Sequence, residues 1–126
     1  MQKVIKKSDV FVYIAGKYSD TDMWKVKKNV LDAQKVVIKL VRNNIKYFCP
    51  HTHSEFMERY VPESSYFYWM ELGEHILEGT ANCMLVLPGY ETSEGSLQEI
   101  EVAGLLDYPI FYECSSLIEW VNSLKD

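Results

Sequence analysis

The sequence predicts an α/β three-layer sandwich, flavodoxin- or Rossmann-like, with a four- to five-stranded parallel sheet and helices on both faces. Three observations predict it. Short runs of consecutive apolar residues, which buried parallel strands require, alternate along the chain with segments of helical periodicity. The 126 residues suit one domain, and 48% of them are hydrophobic, enough to fill a core between layers. No repeat, low-complexity tract or linker divides residues 1–126.

Val10-Phe11-Val12-Tyr13-Ile14-Ala15 is the first strand, ended by Gly16. Asp20-Thr21-Asp22 caps a helix running to about Asn43. Its apolar face is Val26, Val30, Ala33, Val37, Leu40 and Val41, and its opposite face carries Lys28, Lys35, Lys39 and Arg42. Ile45–Cys49 is the second strand, stopped by Pro50, and the polar stretch 50–65 reads as irregular. A helix starting at Ser64 or Ser65 runs through about Glu78, with Trp69, Leu72, Ile76 and Leu77 apolar, and Gly79 ends it. Cys83–Leu87 is the third strand. A helix over Ser93–Leu106 follows, then a strand over Pro109–Tyr112. A last helix, capped by Ser115 or Ser116, contains Leu117, Trp120 and Leu124.

In such sheets ligands bind beyond the carboxyl ends of the strands. The loops there are Gly16–Asp20, Pro50–Glu63, Pro88–Ser93 and Glu113–Ser115, and the distinctive polar residues fall in or next to them. On the Ser93–Leu106 helix, Glu94, Gln98 and Glu101 share a polar stripe. Glu99 lies roughly 130° away, between Ala103 and Leu106, facing the sheet. A carboxylate there is costly unless partnered or used. The start of this helix favours an anion, because its first backbone N–H groups are free and its dipole end is positive. Ser93 and Ser96 add hydroxyls and Gly95 allows close approach, while Lys17 and Ser19 of the first loop reach the same crevice. Ser93 is equally an ordinary helix cap.

A net charge of −5 argues against nonspecific nucleic-acid binding. No apolar run approaches the ~20 residues of a membrane span. Lys3, Lys6, Lys7 and Asp9 interrupt any secretory leader. Cys49, Cys83 and Cys114 fit neither a disulfide framework nor zinc spacing and read as buried free thiols. His51 and His53 share a face if the segment is extended, but no third ligand accompanies them. The expectation is a cytoplasmic protein without metal or cofactor, whose partner is a small molecule rather than nucleic acid or membrane.

Three stretches resemble the nucleoside 2-deoxyribosyltransferase superfamily, which includes 2′-deoxynucleoside 5′-monophosphate N-hydrolases and small phage and bacterial domains. They are Tyr13-Ile14-Ala15-Gly16, Asn82–Tyr90 with its Pro88-Gly89-aromatic end, and Ser93-x-Gly95-x-x-x-Glu99-x-x-x-Ala103. The resemblance implies that Glu99 is a nucleophile, that Tyr13 borders it and the sugar, and that Ser93 helps hold a 5′-phosphate. It further implies an acid on the preceding helix, Glu74 if no gap intervenes or Glu71 one turn earlier, and a homodimer whose partner completes the site. His51 is placed in the base or sugar pocket. Asn82 stands where the family commonly has aspartate. The implied reaction is retaining N-glycoside cleavage by two carboxylates ~5 Å apart. Tyr13 would hold Glu99 ionised. The alternative is a module that binds a nucleotide or nucleotide signal without turnover. The aromatic helix Tyr66–Trp69 and the Trp120 helix supply apolar surface for the dimer.

Overall fold

The computed structural model describes residues 4–126, so Lys3 of the charged start lies outside the described residues. The elements are β1 (Phe11–Ala15), α1 (Met23–Arg42), β2 (Lys46–Phe48), α2 (Pro50–His53), α3 (Met57–Tyr60), α4 (Tyr66–Gly79), β3 (Cys83–Val86), α5 (Glu94–Leu105), β4 (Ile110–Phe111) and α6 (Cys114–Ser123). All four strands are parallel and ordered β2-β1-β3-β4. The chain moves one way from β1 to β2 and the other way from β3 to β4. The switch point therefore lies between β1 and β3, the place in an open parallel sheet beyond whose carboxyl ends ligands bind.

Alternation along the strands assigns the two faces. Val10, Val12, Ile14, Cys83 and Leu85 pack with Ala33 and Leu40 of α1 and with Leu117 and Val121 of α6. Tyr13, Ala15, Met84 and Val86 pack on the other side with Leu77 of α4 and Ala103 of α5. Helices cover both faces, which is the three-layer arrangement the apolar runs imply. Side-chain caps fix three helix starts. Asp22 accepts from the Trp24 N–H at 2.9 Å, Ser65 from Tyr68 at 3.2 Å and Ser93 from Ser96 at 3.2 Å. Asn82, at the amino edge, accepts from the Phe11 N–H at 2.9 Å and donates to the Asp9 carbonyl at 2.7 Å, joining β3 to β1.

Four expectations are corrected. Residues 50–60 form the short helices α2 and α3; Pro50 suits a first helical position, and Phe56 joins the two in the left-handed region at φ 59°. A pair of single turns has no apolar periodicity for a sequence to display. The last helix begins at Cys114 after an extended Glu113, so Ser115 and Ser116 lie inside it. Val41 is 60% exposed, since one residue turns the helix about 100° away from buried Leu40. Trp120 stacks on Phe111 at 5.3 Å between ring centroids, which leaves Tyr66, Phe67 and Tyr68 as the exposed aromatics on α4. All three cysteines are free; Cys49 and Cys83 are buried and Cys114 is half-buried. No helix among the described residues is long and apolar enough to cross a membrane.

Leu77 is fully buried between α4 and the sheet. Leu77→Ala should cost about 2–5 kcal/mol in urea denaturation, and Val41→Ala within about 0.5 kcal/mol of nothing.

Candidate active site

Strand β1 is covered on both faces, so the Tyr13 side chain enters the α4/α5 layer with no exposure to water. Its Oη donates to the Glu99 carboxylate. Glu99 reaches that position because α5 turns its sheet-facing side inward, and only 9% of the residue stays exposed. Burial pushes its carboxyl up to about 7; the Tyr13 hydrogen bond pulls the other way, and the negative charge of Glu74 adds to the rise. Burial, then the neighbouring Glu99 charge, drives the Tyr13 hydroxyl well above its ordinary range. The proton between them therefore belongs to Tyr13, and Glu99 is the member that titrates near neutrality. Tyr13 does favour ionised Glu99, as the sequence suggests, but desolvation outweighs it.

The third wall of this pair is Gly73 on α4, which sequence reasoning missed. A Cβ placed there would stand 2.6 Å from the Tyr13 Oη and 3.5 Å from a Glu99 carboxylate oxygen. A glycine in a helix interior costs about 0.5–1 kcal/mol relative to alanine. Its presence between Leu72 and Glu74 was the available signal. Glu74, on the next residue, is half-buried and accepts from the Gln98 amide at 3.2 Å. Its charge acts on both Tyr13 and Glu99. Glu71 is exposed, one turn further out.

The loops distribute the other candidates. Lys17 donates to the Thr92 hydroxyl at 3.3 Å, bringing the first loop beside the start of α5. Ser93 is partly exposed and its Oγ accepts from both the N–H and the hydroxyl of Ser96, the latter at 2.9 Å. Ser96 is almost fully buried and its hydroxyl proton is spent on Ser93, so it is not a free ligand donor as expected. Gly95 faces α4: a Cβ there would meet the Tyr66 hydroxyl at 3.2 Å and the Met70 sulfur at 3.3 Å. Helix packing accounts for it without a ligand. At Gly16 a Cβ would lie 2.9 Å from Leu87, so this glycine lets the first loop rest on the end of β3. Pro88 and Gly89 are exposed, Gly89 at φ 89°, and Ser19 is exposed on the first loop.

His51 does not form an open pocket wall. It is buried, its Nε2 lies 2.9 Å from the Lys17 carbonyl, and its Nδ1 has no hydrogen-bond partner. Burial lowers its pKa, so the ring is neutral and Nε2–H is the donor. Protonation at Nδ1 leaves this tie between two loops in place; what acid takes away is the stability of a buried neutral ring, which is full above the ordinary histidine range and is lost as pH falls through the lowered value. A second tie runs from the Phe56 N–H to the Tyr18 hydroxyl at 2.7 Å. His53 stacks on Phe48 instead. On helix α2 the two histidines point about 200° apart, not to one face.

Two variants test the pair. Glu99→Gln keeps an acceptor for Tyr13 and removes the charge. The folded pKa of Glu99 lies above its ordinary 4.5, so its stabilising share is full below 4.5 and is lost as pH rises through about 7. The variant should match wild type in acid and exceed it above pH 7 by on the order of 3 kcal/mol, read by urea denaturation at both pH values. Gly73→Ala should lose about 1–3 kcal/mol as its Cβ displaces the pair. Gly104→Ala, with nothing within 4 Å of its Cβ, should gain about 0.5–1 kcal/mol.

No protein-family model and no curated protein matches this chain. Among solved structures it is similar to a 2-deoxyribosyltransferase from the psychrotolerant bacterium Bacillus psychrosaccharolyticus. The TM-score is 0.51 at 19% identity, over 80% of this chain and 69% of that one. The likeness is one of fold: the chain is a three-layer α/β protein of the kind seen in that deoxyribosyltransferase.

Proposed function

We propose that this chain is a single-domain N-glycosidase of the nucleoside 2-deoxyribosyltransferase type, acting on a (deoxy)nucleoside 5′-monophosphate or nucleoside through Glu99. The observation that carries the reading is the buried, hydrogen-bonded Tyr13–Glu99 pair, a carboxylate held in apolar surroundings against β1, one of the two strands that flank the switch point. The fold shared with a 2-deoxyribosyltransferase supports it.

In this reading ionised Glu99 attacks the anomeric carbon as the base departs, forming a glycosyl-enzyme. Tyr13 positions the attacking oxygen. Glu74 acts in its protonated form: it gives its proton to the leaving base and is left as the carboxylate. Water then resolves the intermediate, giving hydrolysis, or a second base takes the sugar, giving transfer; the exclusion of water decides between them. Ser93, which retains its own hydroxyl proton, and Lys17 beside Thr92 take the 5′-phosphate. A second copy of the chain belongs to the proposal, with the exposed aromatics of α4 as apolar surface.

A second reading is favoured by one observation: Glu99 and Tyr13 are enclosed in the lone chain. A module that binds a nucleotide above them without turnover would need no access to the carboxylate.

The test is base release from a panel of ribo- and deoxyribonucleosides and their 5′-monophosphates, followed by chromatography. Wild type should release base from at least one, and Glu99→Ala should lose about 10³-fold or more. The acid limb of kcat/KM should rise through about pH 7, where Glu99 ionises, and Tyr13→Phe should move it to higher pH. No release from any substrate, with thermal stabilisation of both wild type and Glu99→Ala by a nucleotide, would select the binding module.

A further inference from the structure

The net charge of −5 is unevenly placed. Helix α1 holds six cations, Lys25, Lys27, Lys28, Lys35, Lys39 and Arg42, against one carboxylate, Asp32. All six are exposed. Asp32 pairs with Lys28 at 2.9 Å and approaches Lys35 at 4.0 Å, while Lys39 and Arg42 make no ion pair among the described residues. Across the sheet, α4 and α5 hold six glutamates and no lysine or arginine. The expectation of a partner other than membrane takes the charge of the whole chain, which the fold separates onto opposite faces.

The outer face of α1 is also apolar along its middle. Trp24, Leu31 and Ile38 are 77%, 53% and 48% exposed. At 100° and 1.5 Å per residue they fall within about 40° of one another and span about 21 Å. Lys28, Lys35 and Arg42 stand one turn beyond each of the three, on one side of the stripe. Lys27 lies on the other side, 5.5 Å from the centre of the Trp24 ring. A protein groove that takes a helix reads apolar anchors at i, i+3 or i+4, and i+7. Here Trp24 and Leu31 are followed at those near positions by Lys27, Lys28, Gln34 and Lys35. A convex ridge one apolar residue wide, with long-stemmed cations on both sides, suits a soft surface of uniform negative charge. Lysine stems lie along the apolar boundary there while their ammonium groups stay among the headgroups, and an indole sits at headgroup level.

We propose that the outer face of α1 docks on an anionic lipid bilayer, with Trp24, Leu31 and Ile38 at the headgroup boundary and the flanking cations on lipid phosphates and carboxylates. The helix lies on the bilayer and does not cross it. Each cation near such a surface contributes about 1 kcal/mol, which is about fivefold in affinity. The glutamates of α4 and α5 lie beyond α1 and the sheet, more than the ~10 Å width of a helix away. That exceeds the screening length of about 8 Å at physiological ionic strength, so their repulsion is damped. The contact leaves Glu99 inside its own chain and α4 uncovered, and it stands apart from the catalytic reading.

Co-sedimentation of the whole chain with vesicles tests it, using phosphatidylcholine alone and phosphatidylcholine with about a third phosphatidylserine, the range in which surface potential is appreciable. Variants are confined to exposed positions and their folding is checked by circular dichroism. Wild type should bind the mixed vesicles at least about tenfold more tightly than the neutral ones, and about 1 M salt, where the screening length is about 3 Å, should abolish the difference. Lys39→Gln/Arg42→Gln should weaken binding on the order of twentyfold. Leu31→Ser/Ile38→Ser should weaken it about tenfold with the charge unchanged. Tryptophan emission should shift to the blue on the mixed vesicles, and Trp24→Phe should remove the shift. Phe67→Ser, on the opposite layer, should change nothing. Four results would overturn the proposal: no binding to the mixed vesicles in low salt; equal binding to both kinds; binding unmoved by the two double variants; or tighter binding to polyglutamate or duplex DNA than to the vesicles at equal charge concentration, which would assign the face to an acidic protein or a nucleic acid.

Discussion

The hydrogen bond from Tyr13 to Glu99 is the constraint on which this molecule is organised. A carboxylate held between a sheet and two helices is a standing cost, and the surroundings are arranged around it. Strand β1 must present a tyrosine at its centre, α5 must turn one glutamate away from its polar stripe, and α4 must give up a side chain at Gly73. Each concession lowers stability by itself. Together they hold one oxygen in one place, with its protonation poised near neutrality by burial more than by any charged neighbour. A structure under selection for stability alone would fill that space with leucine.

The same tension explains the division of labour between layers. The α1/α6 side of the sheet is apolar and regular, with Leu40 and Leu117 fully enclosed. The α4/α5 side carries the tyrosine, the buried glutamate and the glycine contacts. Stability is concentrated on one face so that the other can hold a group that resists burial.

Much of this was legible in the residues. Apolar runs gave the strands, because a parallel strand buried on both faces needs no alternation. Aspartate and serine marked three helix starts through capping chemistry that operates within four residues. The inward turn of Glu99 followed from 100° per residue alone. What escaped depends on distant chain segments. Gly73 matters only because α4 crosses Tyr13 and Glu99, and no local pattern announces that crossing. Gly95 and Ser96 fit a ligand cradle by composition, yet the nearness of Met70 and Ser93 gives them packing roles. His51 looked like a pocket residue because strand-end loops are where ligands sit; its hydrogen bond to the Lys17 carbonyl made it a brace instead. The two turns α2 and α3 were invisible because four-residue helices have no periodicity to read.

Those two turns have a consequence of their own. A helix of four residues cannot persist on its hydrogen bonds, since nucleation is not repaid over so short a length. Residues 50–60 are held by ties to the first loop, His51 to the Lys17 carbonyl and Phe56 to the Tyr18 hydroxyl, together with the stacking of His53 on Phe48. Together with the packing of α2 on α1, these outside contacts rather than helical hydrogen bonds hold the segment, so it detaches as one cooperative unit at a free energy below that of the central strands. Its amide protons therefore exchange with solvent ahead of those of β1 and β3, while the rest of the molecule stays folded.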